Sequence, residues 1–319
     1  MLEQIYEDNP DDVRIVFRHY PLIGTPENPF HDKAAISHQA AQAAGLQGKF
    51  WDLHDILFAQ QAEWAGLTVE QFQEWVLERA EDLKLDVEQF EADMLSPEMA
   101  EMAQTAWDEA VASNIPGTPF LLINGNIYPN SLPMDYNNIT SINKLVLLER
   151  RQYTSCPQVT IDRTGQYIAT LHTTKGDIKI ELFADAAPLA VNSFIFLARD
   201  GWFDNIMFHR VIPGFVAQSG DPTGSGFGGP GYAFDNEIVP ELTFDRAGLL
   251  GMANSGAGSN GSQFFITYAP VSQLDGKYTI FGQVIDGMDV AELLTPRDPS
   301  QAGELPEGDY IESVTIEEK

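Results

Sequence analysis

The sequence predicts a multidomain chain in which a helix-rich half precedes an antiparallel β half. Three observations carry that prediction. The 319 residues suit two domains of about 100 to 200 residues each, and 44% hydrophobic content can fill two cores. Glycine is unevenly shared, with 6 in residues 1–160 and 20 in residues 161–319. The apolar period also changes, from helical spacing to alternation, after Cys156-Pro157.

In the first half, Val13-Arg14-Ile15-Val16-Phe17-Arg18 has the β-branched content of a strand. Helices are predicted over 32–44, which is alanine-rich, over 50–61, over 68–80 behind a capping-type Thr68, and over 97–113. Phe120 to Ile123 and Ile127-Tyr128 read as a hairpin, because Asn124-Gly125-Asn126 supplies the positive φ such a turn needs. A last helix is expected over 139–151. In the second half, Tyr167 to Thr173 and Ile178, Ile180, Leu182 alternate about a Lys175-Gly176-Asp177 turn. Pro188 to Arg199 reads as a helix with proline in its first turn, Met288 to Leu294 as a short one, and Tyr310 to Ile316 as a closing strand.

Charge narrows the partners. Eighteen Lys+Arg against 47 Asp+Glu leave −29, which opposes the basic stripe that a phosphate backbone requires, so nucleic acid is not expected. No apolar run has the length of a spanning helix, and Met1 to Asp8 lacks the basic start and apolar run of a signal peptide, so the chain as written is expected in the cytoplasm. One cysteine, Cys156, rules out an intrachain disulfide, a Cys-x-x-Cys pair and a cysteine-rich zinc site.

The β half contains Phe208-His209-Arg210-Val211-Ile212-Pro213-Gly214-Phe215-Val216-Ala217-Gln218-Ser219-Gly220-Asp221. Gly251-Met252-Ala253-Asn254-Ser255, Asn260-Gly261-Ser262-Gln263-Phe264-Phe265-Ile266 and Leu274-Asp275-Gly276-Lys277-Tyr278-Thr279-Ile280-Phe281-Gly282 follow. In this order and spacing the blocks resemble the cyclophilin family of peptidyl-prolyl cis-trans isomerases. The resemblance implies a closed eight-stranded antiparallel β-barrel with two capping helices, acting on proline-containing polypeptides without cofactor or metal.

The chemistry of such a site is rotation about an X-Pro bond, whose resonance barrier is about 18 to 20 kcal/mol. When the amide twists, the proline nitrogen regains its lone pair, so a fixed guanidinium aimed at it stabilises the twisted state more than the planar one. By resemblance Arg210 is the catalytic candidate, and Phe215, Val216, Phe265, Leu274 and Tyr278 line the proline pocket. Gln218, Gln263, Asn254 and the Ala253 backbone would bind the client peptide or orient Arg210, with Gly226 approaching from an adjoining loop. His209 is auxiliary, since rotation transfers no proton. Gln273 stands where many members carry an indole, and Tyr278 where the family often has histidine; loss of the indole donor implies weak binding of the cyclic peptide cyclosporin. Taken singly, Phe215, Phe265 and Leu274 read as core residues and Arg210 as a surface charge; their placement together favours the pocket.

The first half, through Val13 to Leu22, His38 to Gly45, Gly48 to Asp55 and Gly117-Thr118-Pro119-Phe120, resembles a DsbA-like thioredoxin-fold domain with its helical insertion. The resemblance implies an α/β domain with a cis bond before Pro119. The chain opens at what reads as the end of that family's first helix, so the first strand and the Cys-x-x-Cys are expected to be missing, leaving a redox-inactive module with exposed sheet edges. An upstream Cys-x-x-Cys with an apolar anchor would make the protein exported or membrane-tethered and bifunctional; a noncatalytic proline-peptide chaperone is the other alternative. The expected division is 1–152, a linker over 153–164, and 165–319.

Other motifs are set aside on context. Gly224-Ser225-Gly226-Phe227-Gly228-Gly229 matches the dinucleotide pattern, but Pro230-Gly231 prevents the helix that would present amides to a pyrophosphate, so a loop is expected. His31, His38 and His54 lack metal-ligand spacing and are expected on solvated helix faces. The glycosylation patterns at Asn138 and Asn260 carry no weight without export, and Ser255, Ser259 and Ser262 lack a His/Asp pair for nucleophilic chemistry.

Overall fold

Residues 1–25, 28–301 and 305–319 are described by a computed structural model, in which they form two units: Val13–Ser131, and Met1–Asp12 with Leu132–Lys319. The elements run α1 (Leu2–Asp8), β1 (Gly24–Thr25), β2 (Asn28–Pro29), α2 (Ala34–Leu46), α3 (Phe50–Ala59), α4 (Gln61–Trp64), α5 (Val69–Asp82), α6 (Val87–Met94) and α7 (Pro97–Ala112). Next come β3 (Leu122–Ile123), β4 (Asn126–Ile127), α8 (Tyr136–Leu148), β5 (Tyr167–Thr173), β6 (Gly176–Leu182) and α9 (Pro188–Arg199). The chain closes with β7 (Ile206–Met207), β8 (Arg210–Ile212), β9 (Val216–Ser219), β10 (Leu249–Met252), β11 (Phe264–Thr267), β12 (Ile280–Asp286), α10 (Met288–Glu292) and β13 (Tyr310–Glu318).

The unit Val13–Ser131 is built on helices. Ala40, Ala44, Leu53, Phe72, Val76, Phe90 and Met94 interlock in one core, the alanines allowing α2 close contact with its neighbours. Thr68 and Gln71 form the reciprocal capping box that starts α5, Thr68 Oγ1 accepting from the Gln71 amide at 3.3 Å and Gln71 Oε1 from the Thr68 amide at 3.0 Å. Helix α6 escaped the sequence reading because only Phe90 and Met94 mark its inner face; Asp86 caps it through the Gln89 amide. The β3–β4 hairpin pairs Leu122 with Ile127 and Ile123 with Asn126, while Asn124 and Gly125 take φ of 48° and 81°.

Val13 to Arg18 is not a strand. It has the composition of one, yet no backbone hydrogen bond reaches it among the described residues, and a strand exists only as part of a ladder. The α/β sheet expected for this half is accordingly reduced to two-residue ladders, β1–β2 and β3–β4.

The second unit is a nine-stranded antiparallel sheet in the order β7-β13-β5-β6-β12-β10-β11-β9-β8. The strand count exceeds the expected eight because residues 206–212 break at Phe208-His209, the first part pairing with β13 and the second with β9. The β5–β6 turn is tighter than the sequence suggested: Thr173 pairs with Gly176, leaving Thr174-Lys175 at the bend. Helix α9 starts at Pro188, and its first amides, Leu189 and Ala190, each donate to the Glu237 carboxylate at 2.9 Å. Its Val191, Phe194, Ile195 and Ala198 enter the main β core with Leu171, Ile178, Phe264 and Phe281.

By its contacts the β unit reaches back to Leu132 and so takes in α8. Leu148 at the end of α8 is buried in the β core, Arg151 donates to the Gly201 carbonyl at 2.7 Å and lies over the Trp202 ring, and the Tyr153 amide donates to Pro230 at 2.8 Å. The segment expected to begin a linker is thus anchored. Among the described residues no helix is long and apolar enough to cross a membrane.

Three imidazoles are held neutral by their surroundings. His38 is buried and His54 is mostly covered, contrary to the solvated positions expected; only His31 is exposed. The ring of His38 packs 4.0 Å from that of His19, and neither nitrogen of His38 has a hydrogen-bond partner. Burial lowers the His38 pKa to about 4; burial, with His38 and His54 nearby, lowers His19 to about 3. In the β unit burial lowers His209 to about 4, with Arg210 and Arg297 reinforcing and Asp221 opposing.

Two outcomes are expected. Phe72→Ala removes a wholly buried ring that stacks on Trp75, and should cost about 3–5 kcal/mol in urea unfolding of the helical unit. Because these imidazoles bind protons less readily folded than unfolded, stability is full above about pH 6.5 and falls as pH drops toward about 4. The urea midpoint should therefore be lower at pH 5 than at pH 7, and His38→Leu should flatten that decline for the helical transition.

Candidate functional site

The register of the second sheet decides which side chains meet. Arg210 pairs with Gln218, Gln218 with Phe265, and Phe265 with Gly251, so these four share one face of the sheet. The neighbouring row, Val211, Ala217, Ile266 and Leu250, faces the other way and is buried in the main core. Alternation with period two therefore separates the candidate site from the interior that supports it. Gly251 is needed in the row, since a Cβ there would lie 2.4 Å from Phe265 Cζ.

On the site face a second apolar cluster gathers, distinct from the main core. Val216, Phe244, Leu249, Phe265, Val271 and Ile280 are its buried members; Phe215, Ala253, Leu274 and Tyr278 are half-buried around them. Tyr278 meets Phe265 edge-on with ring centres 5.8 Å apart, and Phe244 backs Phe265 at 5.6 Å. All five residues expected to line a proline pocket belong to this one cluster.

The Arg210 guanidinium is half-buried and stacks on Phe215 at 5.5 Å from its ring centre. No hydrogen bond or ion pair occupies it among the described residues. The expectation that Gln218 or Gln263 orients Arg210 is not what the geometry has: Gln218 Nε2 donates to Gln263 Oε1 at 3.0 Å. Gln263 Nε2 in turn donates to the carbonyls of Gly226 and Gly228, both at 2.9 Å. The glutamines brace each other and the adjoining loop.

Asn254 is held in a side-chain triangle, donating to Asn236 Oδ1 at 3.1 Å and to Asn260 Oδ1 at 3.0 Å, while Asn260 donates to Asn236 at 2.8 Å. The Ala253 amide donates to the Gln263 carbonyl at 2.9 Å. Among the described residues no hydrogen bond engages the Ala253 carbonyl or the Asn254 backbone amide. Gln273 is exposed, on the 3-10 turn Ser272–Leu274.

Asp221 was not singled out by the sequence reading. Its wholly buried carboxylate accepts from the amides of Thr223 (2.7 Å), Gly226 (2.6 Å) and Gly228 (3.1 Å), and from the hydroxyls of Thr223 and Ser225. The glycine-rich match to a dinucleotide pattern is indeed a loop, and the anion its amides surround is the protein's own. A Cβ at Gly228 would fall 2.0 Å from Asp221 Oδ1, which excludes any larger residue there. His209 lies behind this loop, buried and without hydrogen-bond partners, close enough that a Cβ on Gly226 would touch its ring at 3.8 Å. The signal in the sequence was Asp-Pro-Thr-Gly-Ser, a run suited to side-chain-to-backbone turns.

The helical unit holds a cavity of about 340 Å³, walled by Phe17, His19, His38, Leu57, Trp64 and Thr118. The bond after Thr118, to Pro119, is cis as expected. No sulfur lines this cavity. Cys156 is a free thiol in the other unit, its pKa pushed up by partial burial and so away from the thiolate. No cluster of three or more metal-ligating side chains occurs among the described residues.

Comparison with known proteins also finds two domains. Residues 168–316 match the family model for cyclophilin type peptidyl-prolyl cis-trans isomerase/CLD, and residues 2–142 match a thioredoxin model. Peptidyl-prolyl cis-trans isomerase A of Mycobacterium tuberculosis is 44% identical over 178 residues, covering 50% of this chain and 98% of the relative. Peptidyl-prolyl cis-trans isomerase cypE of Dictyostelium discoideum is 52% identical over 128 residues, covering 39% and 82%. Peptidyl-prolyl cis-trans isomerase-like 3 of Rhizopus delemar is 47% identical over 157 residues, covering 46% and 92%. With its register, its second apolar cluster and these relatives in agreement, the chain belongs to the cyclophilin type peptidyl-prolyl cis-trans isomerase family, and carries a thioredoxin-like domain ahead of the isomerase domain.

Proposed function

We propose that the second unit catalyses cis-trans rotation of X-Pro bonds in polypeptides, with Arg210 as the electrostatic catalyst. The observation that carries this reading is the unoccupied Arg210 guanidinium, stacked on Phe215 beside the cluster of Val216, Phe265, Leu274 and Tyr278. A proline ring fits that cluster, and the backbone of Ala253 and Asn254 offers an acceptor and a donor to an extended client. The prolyl nitrogen becomes a hydrogen-bond acceptor only as the amide twists, so a donor fixed beside the pocket lowers the barrier without binding the planar amide equally well. No proton transfer is required, and the unpartnered His209 serves as packing behind the Gly226 loop.

In this reading β7 and β8 are two parts of one strand that closes the sheet into a barrel, with α9 and α10 capping its ends. The thioredoxin-like unit serves as a partner-binding module, since the single thiol of Cys156 has no second cysteine with which to exchange. Clients are proline-containing polypeptides, and the charge of −29 disfavours nucleic acid.

In a protease-coupled prolyl peptide assay the wild-type chain should accelerate the slow phase. Arg210→Ala should lower kcat/KM by about 10²- to 10³-fold, the usual cost of removing one transition-state donor, while circular dichroism stays unchanged. Equal rates for the two proteins would leave a noncatalytic peptide binder. Exposed Gln273 supplies no indole donor, so cyclosporin should inhibit only weakly; a nanomolar inhibition constant would overturn that expectation.

A further inference from the structure

Phe227 stands out on the loop after β9. It is 83% exposed, the most exposed of the large apolar side chains described, and belongs to neither apolar cluster of its unit. An exposed phenylalanine on a mobile loop would carry little meaning. This one sits between Gly226 and Gly228, whose amides both donate to the buried Asp221 carboxylate and whose carbonyls both accept from Gln263 Nε2. Its own amide donates to Ser225 Oγ at 3.2 Å. Backbone is therefore tied on both sides of the residue. The same Gln263 is bonded to Gln218, the cross-strand neighbour of Arg210. A continuous chain of short contacts thus fixes Phe227 relative to the catalytic row.

The loop chemistry leaves few other uses for the residue. Gly228 makes room for the Asp221 carboxylate, and the carboxylate takes up the loop amides that could otherwise bind an external anion. What the loop still presents to solvent is one aromatic ring. A ring on preordered backbone gains contact area on binding while losing only the freedom of its own two side-chain torsions, which is why aromatic residues serve as anchors in recognition surfaces.

We infer that Phe227 is a specificity-determining residue of the isomerase site, selecting clients that carry a large apolar or aromatic residue within a few positions of the proline. The inference rests on the isomerase reading above and names the substrate class for that site. Phe227 takes no part in the twist of the amide, so its contribution falls on KM and not on kcat.

The test compares peptides sharing one Ala-Pro bond in the full chain. One has alanine at the flanking positions; the others place phenylalanine or leucine two or three residues before or after the proline. Wild type should favour at least one apolar-flanked peptide by about five- to tenfold in kcat/KM, in line with one aromatic contact, and through KM. Phe227→Ser should abolish that preference and leave turnover of the alanine-flanked peptide unchanged, whereas Phe227→Leu should retain part of it. A wild-type preference that survives in Phe227→Ser, equal losses on all peptides, or no preference in wild type would overturn the inference. Acceleration of no peptide by wild type would instead defeat the isomerase reading, and this inference with it.

Discussion

The β unit depends on the register of β8, β9, β11 and β10. Arg210, Gln218, Phe265 and Gly251 form one row, while Val211, Ala217, Ile266 and Leu250 form the next, and the two rows face opposite ways. A slip of one residue would turn the guanidinium toward the main core and bring Val211 and Ala217 to the site face, at a cost no exposed loop could offset. Burial of the second row therefore holds the first in place. The candidate site is, in this sense, the outward side of a packing solution.

Loops complete what the register begins. The residues after β9 fold around the Asp221 carboxylate, which replaces water as partner for three backbone amides and two hydroxyls. Gln263 then joins that loop to the strand row, and the Asn236, Asn254, Asn260 triangle steadies the segment after β10. Such polar networks in half-buried positions give rigidity to the segments they join.

Much of the β half was legible before any coordinates. Alternation marked β5, β6 and β13, proline at the first turn marked α9, and the apolar blocks around Arg210 and Gln263 marked the site, because each signal is local to a few adjacent residues. The readings that failed involve partners distant in the chain. Val13 to Arg18 has strand composition without a ladder, and His38 lies on a helix whose surroundings, not whose spacing, bury it. Glu237 caps α9 from 47 and 48 residues away, and nothing near Pro188 announces it. Tyr153 opens the expected linker, and nothing near it announces that its amide donates to the Pro230 carbonyl.

By itself the sequence determined the order of the two halves, the isomerase family of the second, the cluster of candidate residues and the lack of a second thiol. The order of the halves and the single thiol follow from composition and period, whereas the family and the candidate residues are what the resemblance of the motif blocks implies. Tertiary structure decided that Gln218 and Gln263 brace a loop and leave the arginine free, and that the glycine-rich run encloses an internal carboxylate. It also separated the second apolar cluster from the main core and drew the segment after α8 onto the β unit. Those outcomes depend on which groups lose water together, and desolvation is shared among residues that only the folded chain makes neighbours.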